Sequence, residues 1–255
     1  MPRVTINGDD FGMNESCTRA IIRALREGLI TDTTMMANGQ FFDVAVQMAK
    51  EHGLTDRIGI HFNLTEGRPL TSGIMAIPLF VKDGEFHRWF LRQPRELNEA
   101  ERQAVFAELC AQAERIRRAG ISITHADSHH YLHTYRALAP IFADVCHHCE
   151  IGSIRLNRTL DTPTHPCVTD GRIDNRFWRE QGLRTTEHFG RYTDLFDLEI
   201  PDQTEILVHP DFDTDGRLID RTAVIDGYPS GQIVDGAVYR EKSLILCRYQ
   251  ELIGE

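Results

Sequence analysis

The sequence predicts a single α/β domain in which about seven parallel strands form a barrel of the TIM type, complete or distorted. Three observations carry this reading. Short β-branched runs alternate with longer helical patterns from end to end, the signature of a parallel sheet with helices outside it. The 255 residues are 41% hydrophobic and 26% charged, enough apolar material for one large core. No Ser/Gly/Pro-rich or single-sign charged linker divides them. An open doubly wound sheet shares the alternation, but no G-x-G-x-x-G follows the first strand and no G-x-x-x-x-G-K-S/T occurs anywhere, so the dinucleotide and P-loop versions lose their main support.

Taken in order, the first strand is read at Arg3 to Asn7 and runs into Gly8-Asp9-Asp10-Phe11-Gly12. A helix follows over Glu15 to Glu27, with Ala20, Ile21, Ala24 and Leu25 on one face, Asn14 or Ser16 as its cap and Glu15 complementing its dipole. Further strands are expected at Ile30 to Met36, Ile58 to Leu64, Ile121 to Ala126, Ser153 to Leu156, Leu183 to Glu187 and Glu205 to Val208. Helices are expected at Phe42 to Glu51, Glu96 to Ala119, Tyr135 to Cys149 and, last, Asp235 to Leu252. Segments 65–95 and 157–182, rich in Gly, Pro and Arg, are too long for simple connections and are read as lids or substrate-binding insertions.

Charge and composition exclude several partners. The formal charge is −10, and only three of the 28 basic residues are lysines. No basic run tracks a phosphate backbone, which argues against nucleic acid. No apolar stretch approaches the roughly 18 residues of a membrane span, and the amino terminus has no charged-then-apolar leader, so the expected setting is cytoplasmic, with no membrane partner. The six cysteines follow no framework spacing and are expected to be reduced. Cys146-His147-His148-Cys149 has the look of a zinc knuckle, but no second ligand pair follows at a suitable spacing.

The chemistry gathers at strand carboxyl ends, where parallel α/β folds place function. Asp9 and Asp10 are adjacent carboxylates after a buried strand, and their mutual repulsion calls for a cation or hydrogen-bond donors. Twelve histidines are present, four of them within residues 125–133. His61, His125 and His209 stand near three separate strand ends and would converge with a carboxylate from a fourth; two imidazoles and one carboxylate leave coordination positions open for water and substrate. His125 and Asp127 point the same way if the strand continues, His129 and His133 would share a helical face, and His130 and His133 read as supporting residues. Arg155 and Arg158 are candidates to pair with the site carboxylates. His52, His87, His147, His148, His165 and His188 read as incidental.

Four blocks, Asn7-x-Asp9-Asp10-Phe11-Gly12, Gly59-x-His61-x-x-Leu64-Thr65-x-Gly67, His125-x-Asp127-Ser128-His129-His130-x-x-His133 and His209-Pro210, resemble the signature blocks of the YdjC-like carbohydrate deacetylases, which include chitooligosaccharide deacetylases. They occur in the family's order, with Gly8 where Ala is usual and Tyr131 in place of a third consecutive His. The resemblance implies a distorted (β/α) barrel, often dimeric, with one divalent ion, magnesium or zinc, held by Asp10, His61 and His125. It also implies hydrolytic removal of acetate from an N-acetylated amino sugar. Asp9 would then take the proton of the attacking water and His209 would protonate the departing amine, with Asp127, His129, His130, His133 and Arg155 supporting the site or the substrate. The negative net charge fits a neutral or cationic sugar better than a phosphorylated one. Two rival chemistries share some of these residues: a barrel phosphoesterase, and an iron oxygenase built on His125-x-Asp127 and His209 with Arg217.

Overall fold

The computed structural model describes residues 1–162, 166–224, 227 and 231–254. The chain opens with β1 (Arg3–Phe11), α1 (Glu15–Arg26), β2 (Asp32–Met35), α2 (Phe42–Glu51) and β3 (Ile58–Phe62). Segment 65–95 folds as α3 (Ser72–Met75), the hairpin β4 (Val81–Lys82) and β5 (Glu85–Phe86), and α4 (Trp89–Arg92). The long α5 (Glu99–Arg118), β6 (Ala126–Ser128), a 3-10 turn at His129–Thr134 and α6 (Ala139–His148) follow. Then come α7 (Arg176–Glu180), β7 (His188–Arg191), α8 (Asp194–Asp197), β8 (Thr204–Val208), β9 (Pro210–Phe212), β10 (Leu218–Asp220), β11 (Gln232–Ile233), α9 (Ala237–Glu241), β12 (Ile245–Leu246) and α10 (Tyr249–Ile253).

The main sheet has the order β6-β3-β2-β1-β8-β7, all pairs parallel, with β12 beside the start of β1. Parallel strands are covered on both faces and so read as continuous apolar runs. Val4, Ile6, Ile58, Ile60, Ile206 and Val208 accordingly have no exposed surface. Past β6 the sheet goes on through two single parallel bridges, Ala126 to Ile154 and Ser153 to Arg184, and four residues beyond Arg184 the chain enters β7 at the opposite edge. The sheet thus curls into a half-barrel, the distorted (β/α) barrel that the alternation predicts.

Local chemistry explains the helix ends. Asn14 accepts from the Cys17 amide at the start of α1, as its position suggests. Asn98 and Glu101 form a capping box on α5. Glu108 of α5, fully buried, accepts from the Leu70 and Thr71 amides and from the Thr71 hydroxyl, tying segment 65–95 to the barrel.

The carboxyl-terminal quarter departs from expectation. The single helix read from Asp235 to Leu252 is α9, β12 and α10, because Ser243 takes a left-handed backbone (φ 53°) and Ile245 and Leu246 pair with Arg3 and Val4. The strands expected at Ile121 to Ala126, Ser153 to Leu156 and Leu183 to Glu187 shrink to β6, which begins at Ala126, two bridges, and β7, displaced to His188–Arg191. Apolar runs mark these segments, but ladder length depends on what pairs alongside.

Candidate active site

In a regular strand, neighbouring side chains face opposite sides. Asp9 and Asp10 nevertheless line the same cleft at the carboxyl ends of the strands. The β1–β2 register shifts between Gly8 and Phe11, and Asp10 adopts a left-handed conformation (φ 71°), so the irregularity re-aims its carboxylate.

Three donor atoms meet at this point. Asp10 Oδ1 lies 3.2 Å from His61 Nε2 and 2.9 Å from His129 Nδ1, and the two imidazole nitrogens are 3.3 Å apart. Asp10 Oδ1 is buried and has no hydrogen-bond partner among the described residues, although both rings approach it. A first-row cation with ligands at about 2.1 Å spaces its donors about 3.0–3.4 Å apart for angles between octahedral and tetrahedral. The triangle, with sides of 2.9, 3.2 and 3.3 Å, comes within about 0.1 Å of those dimensions, and three protein ligands would leave positions open. The surroundings of His61 suit a ligand: its Nδ1 is 2.6 Å from Asp127 Oδ1, and an Nδ1–H donated there leaves Nε2 to face the triangle. His61 and Asp127 are register partners on β3 and β6, which puts the two side chains next to one another.

Arg155, fully buried, organises the remaining charge. Its Nη1 and Nη2 each stand 2.7 Å from one Asp9 oxygen, Nη1 is 2.6 Å from Asp127 Oδ2, and Nε is 2.6 Å from Glu205 Oε1. Burial raises the Asp9 carboxyl most strongly, but the adjoining guanidinium together with His61 and His209 holds Asp9 well below the usual carboxylate range. Glu205 goes the other way, pushed up to about 7 by burial. Burial lowers the His61 imidazole, yet Asp127, Asp10 and Asp9 together lift it to about 10, so without a cation Nε2 also carries a proton, which a bound ion would displace. Several buried acids around one buried arginine leave an excess of negative charge, which a divalent cation would offset.

His125 does not join this triangle, contrary to the expected ligand set; His129 takes its place. His125 Nδ1 bonds the Thr124 hydroxyl at 2.8 Å, Nε2 faces Asn7 Oδ1 at 3.2 Å, and the ring stacks on Tyr249 at 4.0 Å. A parallel strand rises about 3.3 Å per residue, so His125 sits a full layer below Asp127, level with Asn7 and Gly59 rather than with Asp9 and His61. Gly59 is required there: a Cβ would come within 2.7 Å of His125 Nδ1. Burial drives the His125 imidazole down to about 3, so it remains neutral. With His125 turned to Asn7 and Asp127 committed to His61 and Arg155, the His125-x-Asp127 and His209 oxygenase triad is not assembled, and Arg217 pairs with Asp213 instead.

The other expected residues divide between cleft and support. His209 lines the cleft, its Nδ1 bonded to the Thr222 hydroxyl at 2.9 Å and 3.9 Å from Asp220 Oδ1. Burial lowers its pKa against the pull of Asp10, Asp9 and Asp220. His130 also lines it, with left-handed backbone and Nδ1 bonded to Thr65 Oγ1. His133 is buried away from it, bonded to Ser128 Oγ at 2.7 Å and packed against Phe142 and Trp178. Arg158 pairs with Asp194, not with the site. His165 lies outside the described residues. The sequence reading missed Glu66, Arg88 and Arg221, which line the cleft, and Glu205 beneath Arg155. A charged residue inside an otherwise apolar strand was a legible signal for Glu205; Arg221, which reaches Asp10 Oδ2 at 2.9 Å from beyond the β9–β10 hairpin, had none. The cleft encloses about 340 Å³, within the small-molecule range.

Fold and site together define a single-chain (β/α) barrel with a carboxylate and two imidazoles gathered at the mouth, a group able to hold a metal ion. Comparison with known proteins places it further: the YdjC-like protein family matches residues 3–243, and the chain belongs to that family. It is 32% identical over 196 residues to the carbohydrate deacetylase of Oceanobacillus iheyensis, covering 72% of this chain and 83% of that one. It is 38% identical over 139 residues to the carbohydrate deacetylase of Brevibacillus brevis, covering 54% of this chain and 53% of that one. A crystal structure of a proposed cellobiose-phosphate cleavage protein from Enterococcus faecalis superposes with a TM-score of 0.73 at 21% identity, covering 99% of both chains, and shows the shared fold. No helix among the described residues is long and apolar enough to cross a membrane.

Proposed function

We propose that this protein is a metal-dependent hydrolase that removes the N-acetyl group from an N-acetylated amino sugar or short chitooligosaccharide. The observation that carries the proposal is the Asp10, His61 and His129 triangle with Asp9 and His209 opening onto the same cleft, in a chain related to carbohydrate deacetylases. A divalent ion held by those three residues would supply Lewis-acid polarisation of the acetyl carbonyl and acidify water. Two imidazoles favour zinc or another transition metal over magnesium.

Asp9 is the proton acceptor for the attacking water. Arg155 and Asn7 fix its orientation, and its depressed pKa keeps it ionised. His209 delivers a proton to the departing amine from its cationic form: Thr222, which itself donates to Asp220, accepts from Nδ1–H, so the proton given up is the one on Nε2, and Asp9, Asp10 and Asp220 favour that charged form. Glu66 and Arg88 bring segment 65–95 to the cleft wall, where it would shape substrate choice. A cytoplasmic setting and a homodimer belong to the same proposal, and six unpaired cysteines suit a reducing compartment.

The deciding experiment measures acetate released from N-acetylglucosamine oligomers by zinc-loaded and chelator-stripped protein. Release by the loaded form alone is expected, and Asp9→Asn should lower turnover by about 10²–10⁴-fold while still binding metal. No acetate from a broad set of N-acetylated sugars, with metal bound, would overturn the proposal.

A further inference from the structure

His129 presents both ring nitrogens to buried surroundings, and only one is used by the site described above. Nδ1 faces Asp10 and His61. Nε2 is buried, has no hydrogen-bond partner among the described residues, and points at Glu66 Oε1, 3.6 Å away. The Glu66 backbone is held in place: Asn63 Oδ1 accepts from the Thr65 and Glu66 amides, while Asn63 and Asn38 donate to the Glu66 carbonyl at 2.7 and 3.0 Å. Arg88, just ahead of α4, forms an ion pair with the Glu66 carboxylate.

Resting on the metal-centre reading above, we infer that Glu66 is a positioning residue for His129, accepting its Nε2–H so that the Nδ1 lone pair is presented to the cation. A neutral imidazole that gives Nδ1 to a metal carries its proton on Nε2, and that proton needs an acceptor. Asp127 already does this for His61, so the centre is gripped by two carboxylate-imidazole pairs, one from the barrel wall and one from segment 65–95. Glu66, His129 and His130 also cluster closely enough to suggest a second cation site. Chemistry opposes it: two cations on one imidazole require the ring to lose its last proton, Arg88 already balances the Glu66 charge, and His130 Nδ1 is engaged by Thr65.

The test is zinc binding to the purified protein by competition with a chromophoric chelator, with metal content counted per chain. The parent should bind one ion. Glu66→Ala should weaken binding about 10–100-fold, the cost of losing such a support. Glu66→Gln, whose amide oxygen still accepts from Nε2–H, should recover most of that affinity, and the metal-free thermal midpoints of all three should coincide. Parent-like affinity in Glu66→Ala overturns the inference. Equal losses in both variants also overturn it, since they would report only a missing charge. So does a fall from two ions to one in Glu66→Ala, which would make Glu66 a ligand of a second cation. A parent that binds no zinc sinks the metal-centre reading itself, an outcome seen before any variant is compared.

Discussion

At the residue scale, the choice between His125 and His129 decides which residues make up the proposed metal centre. Both histidines fall in one short block, and spacing along a strand favours His125 because it shares a face with Asp127. The structure separates them by height: sharing a face is not sharing a layer, and His125 bonds Asn7 one layer beneath the carboxylates. His129 reaches the centre only because β6 ends at Ser128 and the chain turns there. His129→Ala should therefore lower zinc affinity by at least 10–100-fold. His125→Asn should leave that affinity near the parent value while costing about 1–3 kcal/mol of stability, the penalty for disturbing a buried hydrogen-bonded group. Chelator competition and urea unfolding on both variants check this, and the opposite pattern would restore His125 as the ligand.

At the element scale, the start of β2 joins three parts of the chain. Asp32 Oδ2 accepts from the Thr5 hydroxyl of β1 at 3.0 Å and from the Tyr249 amide of α10 at 2.9 Å. Burial nonetheless raises the Asp32 carboxyl to about 6, with those hydrogen bonds only partly offsetting it. A carboxyl that is a weaker acid when folded keeps its proton in the native state after the unfolded chain has lost it. Stability therefore falls as pH rises from about 4 through about 6, and the full cost, about 3 kcal/mol for roughly two pKa units, is present at neutral pH. Asp32→Asn should flatten that slope, gaining on the parent between pH 4.5 and pH 7.5 in urea unfolding. Parallel stability profiles for the two proteins would refute the assignment.

At the scale of the whole molecule, the carboxyl terminus closes the floor of the site. β12 fills the side of β1 that β2 leaves open, and α10 then places Tyr249, fully buried, against His125. The stack runs upward from Tyr249 to His125, Asn7 and Asp9, so the end of the chain supports a catalytic candidate near its beginning. Tyr249→Ala should cost about 3–5 kcal/mol, the range for emptying a large aromatic site, and a midpoint in urea unchanged from the parent would show that this floor carries no weight.

The sequence by itself determined the architecture and pointed to most of the residues gathered in and beneath the cleft. Alternating strand and helix patterns, continuous apolar strands and the cluster of Asp and His at strand ends are local features, and Asp9, Asp10, His61, Asp127, Arg155 and His209 were legible because polar residues are costly in such places unless they have work there. Only the tertiary structure decided which histidine completes the triangle, that Arg155 braces three carboxylates, and that the last helical pattern breaks into α9, β12 and α10. Each of these depends on height in the barrel or on a partner far along the chain. Periodicity gives the face of a residue, but strand stagger and the available partners set its layer.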